Sequence, residues 1–177
     1  MSSREDDPRN RLRAVADEPP ADDREALIWT LTGEFRACQR ATDAFDELGV
    51  RLLGINRTDG RCLDLLNEHG QMTAGELAAQ AQLTTGAITG VLDRLERAGH
   101  VRRTRDETDR RRVLVETTPA FDAWAEAVYG PLGDKGRAAL RRFGDDELGR
   151  FIEFIRLARE ITEERAAELR EEPPPAA

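Results

Sequence analysis

The sequence predicts a mainly α-helical fold carrying one small β-hairpin. Three observations predict it. Apolar residues recur at spacings of three and four through most of the chain, which places them on one face of a helix. Only the stretch 100–117 changes pattern, to two β-prone runs around a polar turn. The composition agrees: 39% hydrophobic, 35% charged and only 5% aromatic, a mix suited to long amphipathic helices and not to a sandwich or barrel.

The 177 residues suffice for one compact domain, or a small domain with helical arms. Residues 1–23 are polar and hold Pro8, Pro19 and Pro20 without an apolar period, which predicts a mobile acidic arm. Over 25–47, Leu27, Ile28, Leu31, Phe35, Cys38, Thr42 and Phe45 form one stripe, predicting a first helix with Gly49 and Gly54 at its exit. A second helix is expected over 59–69, with Thr58 as its N-cap and Gly70 as its stop. Thr73 and Glu76 have the spacing of a capping box, which opens a short helix ending at Ala81. Thr84 caps the next helix, whose Ala87, Ile88, Val91, Leu92 and Leu95 share a face and which Gly99 ends. Two short helices joined by a tight turn form a helix-turn-helix.

The runs 100–105 and 111–117 flank a polar turn at 106–110 and predict a hairpin directly after that motif, the layout of a winged helix. Thr118-Pro119 then opens a helix over 120–142, with a kink expected at Gly130-Pro131. Asp145 is expected to cap a last helix, striped by Leu148, Phe151, Ile152, Ile155, Ala158 and Ile161. The expected organisation is an arm (1–23), an N-terminal dimerisation helix and linker (24–56), a winged helix-turn-helix (57–118), C-terminal dimerisation helices (119–170) and a disordered tail (171–177). The long stripes at the two ends have no partner domain in the chain, so a second copy is expected to cover them.

The formal net charge is −8, which at first argues against nucleic acid. Its distribution reverses that. Between Arg94 and Arg112 lie eight arginines and four acids, so this segment carries +4 and the remainder −12. A local basic patch is what phosphate contact requires. No stretch is long and apolar enough for a membrane span, and no signal peptide is evident. Cys38 and Cys62, with His69 and His100, make no metal-ligand spacing. No cofactor, no metal and no catalytic constellation is expected, and the setting predicted is cytoplasmic.

Three runs carry a resemblance: Glu76-Leu77-Ala78, then Asp93-Arg94-Leu95-Glu96-Arg97-Ala98-Gly99, then Asp109-Arg110-Arg111. Together with the element order they resemble the MarR family of bacterial winged helix-turn-helix regulators. The motif match spans about a quarter of the chain, and the order of elements extends it over nearly all the ordered part. The resemblance implies a homodimer built through the first and last two helices. It implies regulation of transcription on double-stranded DNA, more often repression, relieved by a small aromatic or anionic effector or by oxidation.

The residues expected to meet DNA are Thr84, Thr85, Gly86, Thr89, Gly90, Arg94, Arg110 and Arg111. Short hydroxyls at a helix N-terminus suit phosphates and thymine methyls. Gly86 and Gly90 cost helix stability, about 1 kcal/mol each relative to alanine, so they read either as sites of close approach to the groove or as tolerated surface glycines. Arg94 reads equally as a DNA contact or as an ion pair with Asp109 or another acid. Arg110 or Arg111 at the wing tip suits the minor groove, with Asp109 holding the Arg111 guanidinium. Arg97 lies where an arginine could reach phosphate or base. Arg102, Arg103 and Arg112 read as phosphate contacts or solvated wing residues. Candidates for an effector pocket are Phe35, Leu65, Leu66, Trp124 and Tyr129, each of which also reads as plain core. Cys38 invites a peroxide-sensor reading, but its place on the apolar stripe predicts an inert buried thiol. The competing function is a winged-helix module that binds protein and not DNA.

Overall fold

The structure is a computed structural model and describes residues 22–106, 109 and 112–171. The chain divides after Thr117 into two compact units, each taken by itself.

The first unit begins with helix α1, Asp23–Leu53, capped by the Asp22 carboxylate on the Arg24 amide. It runs on through Gly49, six residues beyond the expected end, and stops at Gly54, whose φ of +66° suits a residue without Cβ. Helix α2, Arg57–His69, begins two residues before the expected start. Its cap is Asn56 and not Thr58, because the Asn56 side chain reaches the Asp59 amide at 2.9 Å. A two-residue strand that the sequence did not signal, β1, Met72–Thr73, leads into helix α3, Ala74–Ala81. The capping box forms as expected: the Thr73 hydroxyl accepts from the Glu76 amide at 3.2 Å, and the Glu76 carboxylate accepts from the Thr73 amide at 2.7 Å.

The turn of the helix-turn-helix passes through Gln82 at φ +58°, a left-handed conformation unusual for a residue with a Cβ. Helix α4, Thr85–Arg97, follows, and the Thr84 hydroxyl accepts from the Ala87 amide at 3.2 Å. Gly99, at φ +77°, turns the chain into β2, Val101–Arg105, and β3, Val113–Thr117, runs back against it. The sheet order is β1-β3-β2, all antiparallel, with Arg103 opposite Val115 and Met72 opposite Val115 on the other edge. Ile88, Val91, Leu92 and Leu95 of α4 pack with Leu63, Leu66, Leu77 and Val115 into the core, each almost wholly removed from water. Burial of that degree contributes about 1.5–3 kcal/mol per large side chain. It leaves one face of α4 outside.

In the second unit, helix α5, Pro119–Leu140, starts with Pro119 in the first turn and the Thr118 hydroxyl on the Phe121 amide at 3.2 Å. The helix continues through Pro131. Helix α6, Asp145–Glu171, is preceded by Gly144, which takes the capping position expected of Asp145. The Gly144 carbonyl accepts from the Leu148 amide at 3.0 Å and its amide donates to Glu147 at 2.9 Å. Asp145, Asp146 and Glu147 instead fill the first turn, where the helix dipole favours negative charge. No residue of α6 is buried: Phe151, Ile152, Ile155 and Ile161 are all exposed. The same holds for Leu27, Ile28 and Leu31 of α1 in the first unit. No helix is long and apolar enough to cross a membrane, among the described residues.

Candidate nucleic-acid interface

The exposed face of α4 follows from the four core positions. At 3.6 residues per turn, Gly86 and Arg97 lie about 170° round from the centre of the buried stripe, and Gly90 and Asp93 about 150°. Thr89 and Arg94 stand on its two shoulders. Thr84, Thr85, Gly86 and Thr89 are exposed, and Gly90 is half-buried. The Thr89 hydroxyl donates to the Thr85 carbonyl at 2.9 Å and so keeps its acceptor capacity on an exposed side chain. A Cβ at Gly86 would meet nothing within 4 Å, and one at Gly90 would meet only the Arg94 guanidinium, at 3.6 Å. Packing inside the protein therefore does not require glycine at either place.

Arg94 makes the ion pair that the sequence offered as one of its two roles, but with Asp59 and not Asp109. Its Nε lies 3.1 Å from Asp59 Oδ2 and its Nη2 2.5 Å from Oδ1, a fork-on-carboxylate pair joining α4 to the first turn of α2. The Asp59 side chain is 3% exposed. The neighbouring Cys62 is also buried; desolvation first, and the Asp59 carboxylate second, push its thiol up to about 11, so it is protonated at neutral pH.

The wing arginines read as phosphate contacts or solvated residues also make ion pairs within the fold, while Arg102 and Arg112 stay exposed. Arg103 Nη2 lies 2.7 Å from Asp93, and its Nη1 pairs with Glu96, tying β2 to α4. Arg102 Nε lies 2.7 Å from Glu116, which also accepts from Gln71. Those two donors, Gln71 foremost, hold the Glu116 carboxyl below its usual range. Arg112 lies 3.3 Å from Glu76 and 3.8 Å from Asp106. Glu76 is held low chiefly by its capping bond to the Thr73 amide. The pairs of Arg103 with Asp93 and Glu96 join different elements, so no helical or strand period signals them. Among the described residues, Arg97 and Arg105 have no ion-pair partner. Arg110 and Arg111 lie outside the described residues, and so does the expected pairing of Asp109 with Arg111. The Asp109 amide donates to the Asp106 carboxylate at 3.2 Å.

Of the pocket candidates, Leu66 is wholly inside the core of the first unit, while Phe35 and Leu65 are half-buried there. Trp124 and Tyr129, in the second unit, are half-buried with ring centroids 6.2 Å apart, edge to face. Cys38 is exposed, which corrects the expectation of a buried thiol: its apolar stripe faces outward at that point of α1. No cluster of three His, Cys, Asp or Glu is placed to hold a metal, among the described residues.

The model of the MarR family matches residues 55–113. An HTH-type transcriptional regulator of Bacillus subtilis, YcgE, is 35% identical over 148 residues, covering 84% of this chain and 96% of the relative. The chain belongs to the MarR family. It is thus a transcriptional regulator of a DNA-binding, non-enzymatic class. Among solved structures, the transcriptional regulator PA4135 is 29% identical with a TM-score of 0.50, over 74% of this chain and 96% of that one. The Staphylococcus aureus MepR F27L mutant bound to an oligodeoxyribonucleotide shares the fold, at 19% identity and a TM-score of 0.50, over 75% of this chain and 96% of that one. The mainly helical winged helix-turn-helix expected from the sequence is therefore the fold of this MarR-family protein.

Proposed function

We propose that this regulator is a homodimeric repressor that reads an inverted-repeat operator with α4 and is released by a small aromatic or anionic effector. The observation that carries the DNA-reading part is the outer face of α4. It is rich in small and hydroxylated residues, does no packing within the protein, and adjoins an arginine-rich hairpin. Thr84, Thr85, Gly86, Thr89 and Gly90 would meet the major groove, with the two glycines allowing close backbone approach. Arg110 and Arg111, supported by Asp109, would meet the minor groove and its phosphates. Arg94, gripped by Asp59, would anchor the helix more than it touches DNA, and Arg97 joins the list of direct contacts.

The uncovered apolar faces of α1 and α6 support dimerisation through segments 24–56 and 119–170. Phe35 and Leu65 in the first unit, and separately Trp124 and Tyr129 in the second, are the candidates proposed to meet an effector, and the protein would act in the cytoplasm. The test is a footprint of the purified protein on its own upstream region, followed by binding of two variants across a salt series. Half-sites should lie roughly 10 base pairs apart. Arg111→Ala should reduce the slope of log affinity against log salt by about one. Thr89→Ala should keep the slope and relax preference at one operator position by about 1–3 kcal/mol. A variant at Arg111 that binds as the parent does, with the same slope, would move the function to a protein partner.

A further inference from the structure

The face that α4 turns outward contains an apparent contradiction. Asp93 lies about 150° from the buried stripe and Glu96 about 90°, on the side away from Arg94. Both carboxylates are exposed, at 51% and 40% of their side-chain surface. Duplex DNA carries one negative charge per roughly 1.7 Å of axis, so two free carboxylates on a helix entering its groove meet strong repulsion. Arg103 resolves this. It rises from β2 and spans both acids at once, Nη2 on Asp93 at 2.7 Å and Nη1 on Glu96, with its own side chain 32% exposed. Both nitrogens of the fork are therefore turned toward α4.

Resting on the reading of α4 as the DNA-reading helix, we propose that Arg103 is a positioning residue for DNA binding: it draws Asp93 and Glu96 toward the strand and neutralises them, so that α4 can approach phosphate. Its charge serves the protein's own acids in place of the duplex. The affinity it confers therefore depends on those two acids being present. A direct phosphate contact would have no such dependence.

The experiment uses the full-length protein and two probes: a mixed-sequence duplex of about 24 base pairs, for binding that does not depend on sequence, and the operator defined by footprinting. Four variants are compared with the parent at near-physiological salt: Arg103→Ala, Arg103→Lys, Asp93→Asn/Glu96→Gln, and the triple variant. Arg103→Ala should bind both probes about tenfold more weakly or worse, with the deficit shrinking as salt screens the exposed acids. Arg103→Lys should keep most of the affinity. The triple variant should recover most of what Arg103→Ala lost, and the gain from Asp93→Asn/Glu96→Gln should be larger in the Arg103→Ala background than with Arg103 present, a coupling that a phosphate-contacting arginine would not show. Asp93→Asn/Glu96→Gln, with Arg103 intact, should bind the mixed-sequence duplex at least as tightly as the parent; this arm stands even where Arg103→Ala fails to fold. The proposal is overturned by a triple variant as weak as Arg103→Ala, or by weaker mixed-sequence binding in the Asn/Gln variant. A parent protein that binds neither probe overturns the DNA reading itself, a separate result.

Discussion

The two flanks of α4 are held by the same chemistry in opposite sense. On one side the helix supplies the cation, Arg94, itself 47% exposed, to a carboxylate of α2 that is 3% exposed. On the other it supplies the carboxylates, Asp93 and Glu96, to a cation of β2, and all three are partly hydrated. Removing Arg94 would leave the Asp59 carboxylate unpaired in a place that water reaches poorly, which is destabilising. Opening an exposed pair lets water take over and costs little. The first flank is therefore a matter of stability, and the second a matter of the field the helix presents. Two ion pairs of the same composition have different jobs because water reaches the carboxylates of one and not that of the other.

The largest expected effect tests the buried side. Arg94→Met leaves Asp59 unpaired and should produce the greatest drop in the urea unfolding midpoint of any single change discussed; adding Asp59→Asn should recover most of it. If the single variant unfolds at the parental midpoint, the buried flank is no stronger than the exposed one and the comparison fails. Next to Asp59, a Cβ built on Gly60 would lie 2.8 Å from Val50 Cγ2 of α1. Valine is stiff at this atom, so Gly60→Ala should destabilise by about 1–3 kcal/mol, with Val50→Ala restoring part of the loss. That result would extend the rigidity of this side from α2 into α1.

Between the flanks, the start of α4 depends on Thr84. Its replacement by alanine removes the bond to the Ala87 amide and should cost about 1 kcal/mol, seen in the same unfolding curve. On the exposed side, Arg103→Ala should change stability by less than about 1 kcal/mol, which separates its effect on folding from its effect on DNA. The smallest effect is on pH dependence. The folded-state carboxyl of Glu116 lies below its ordinary value of 4.5, so its contribution is complete above pH 4.5 and is lost as the pH falls through the lowered value. Glu116→Gln should lower stability slightly at neutrality, and the difference from the parent should close as the pH falls below 4.5, which flattens the acid limb. An unchanged acid limb would mean that Gln71 and Arg102 contribute nothing there.

What the sequence made legible was local. The capping box at Thr73 and Glu76, the cap at Thr84 and the proline at 119 each involve residues within a turn of one another, and each was found where expected. The helix-turn-helix and hairpin followed from a change of apolar period. The partners of the arginines were not legible. Asp59 stands 35 residues before Arg94, and nothing at position 59 distinguishes a buried carboxylate from a solvated first-turn acid. Strand β1 was missed because two residues carry no period. Cys38 shows the complementary limit: periodicity assigns a residue to a stripe, but what covers that stripe is decided elsewhere, and here Cys62 is the buried thiol and Cys38 the exposed one. The proposed DNA-facing set was chosen from its place on α4, and two of its members, Arg110 and Arg111, lie outside the described residues.

The sheet order has a further consequence. Among the described residues, strand β2 pairs only with β3, which leaves its other side an open edge of backbone amides and carbonyls. Open edges recruit strands from other molecules, and charged side chains are one of the means that suppress this. Three of the five residues of β2 are arginine; Arg102 and Arg103 are paired with acids of the same chain, and Arg105 is the one that strands meeting edge to edge would bring against its own copy. The wing's basic character thus also acts as a guard against self-association, keeping a chain with exposed apolar helices from adding disordered strand pairing to the ordered contacts those helices provide.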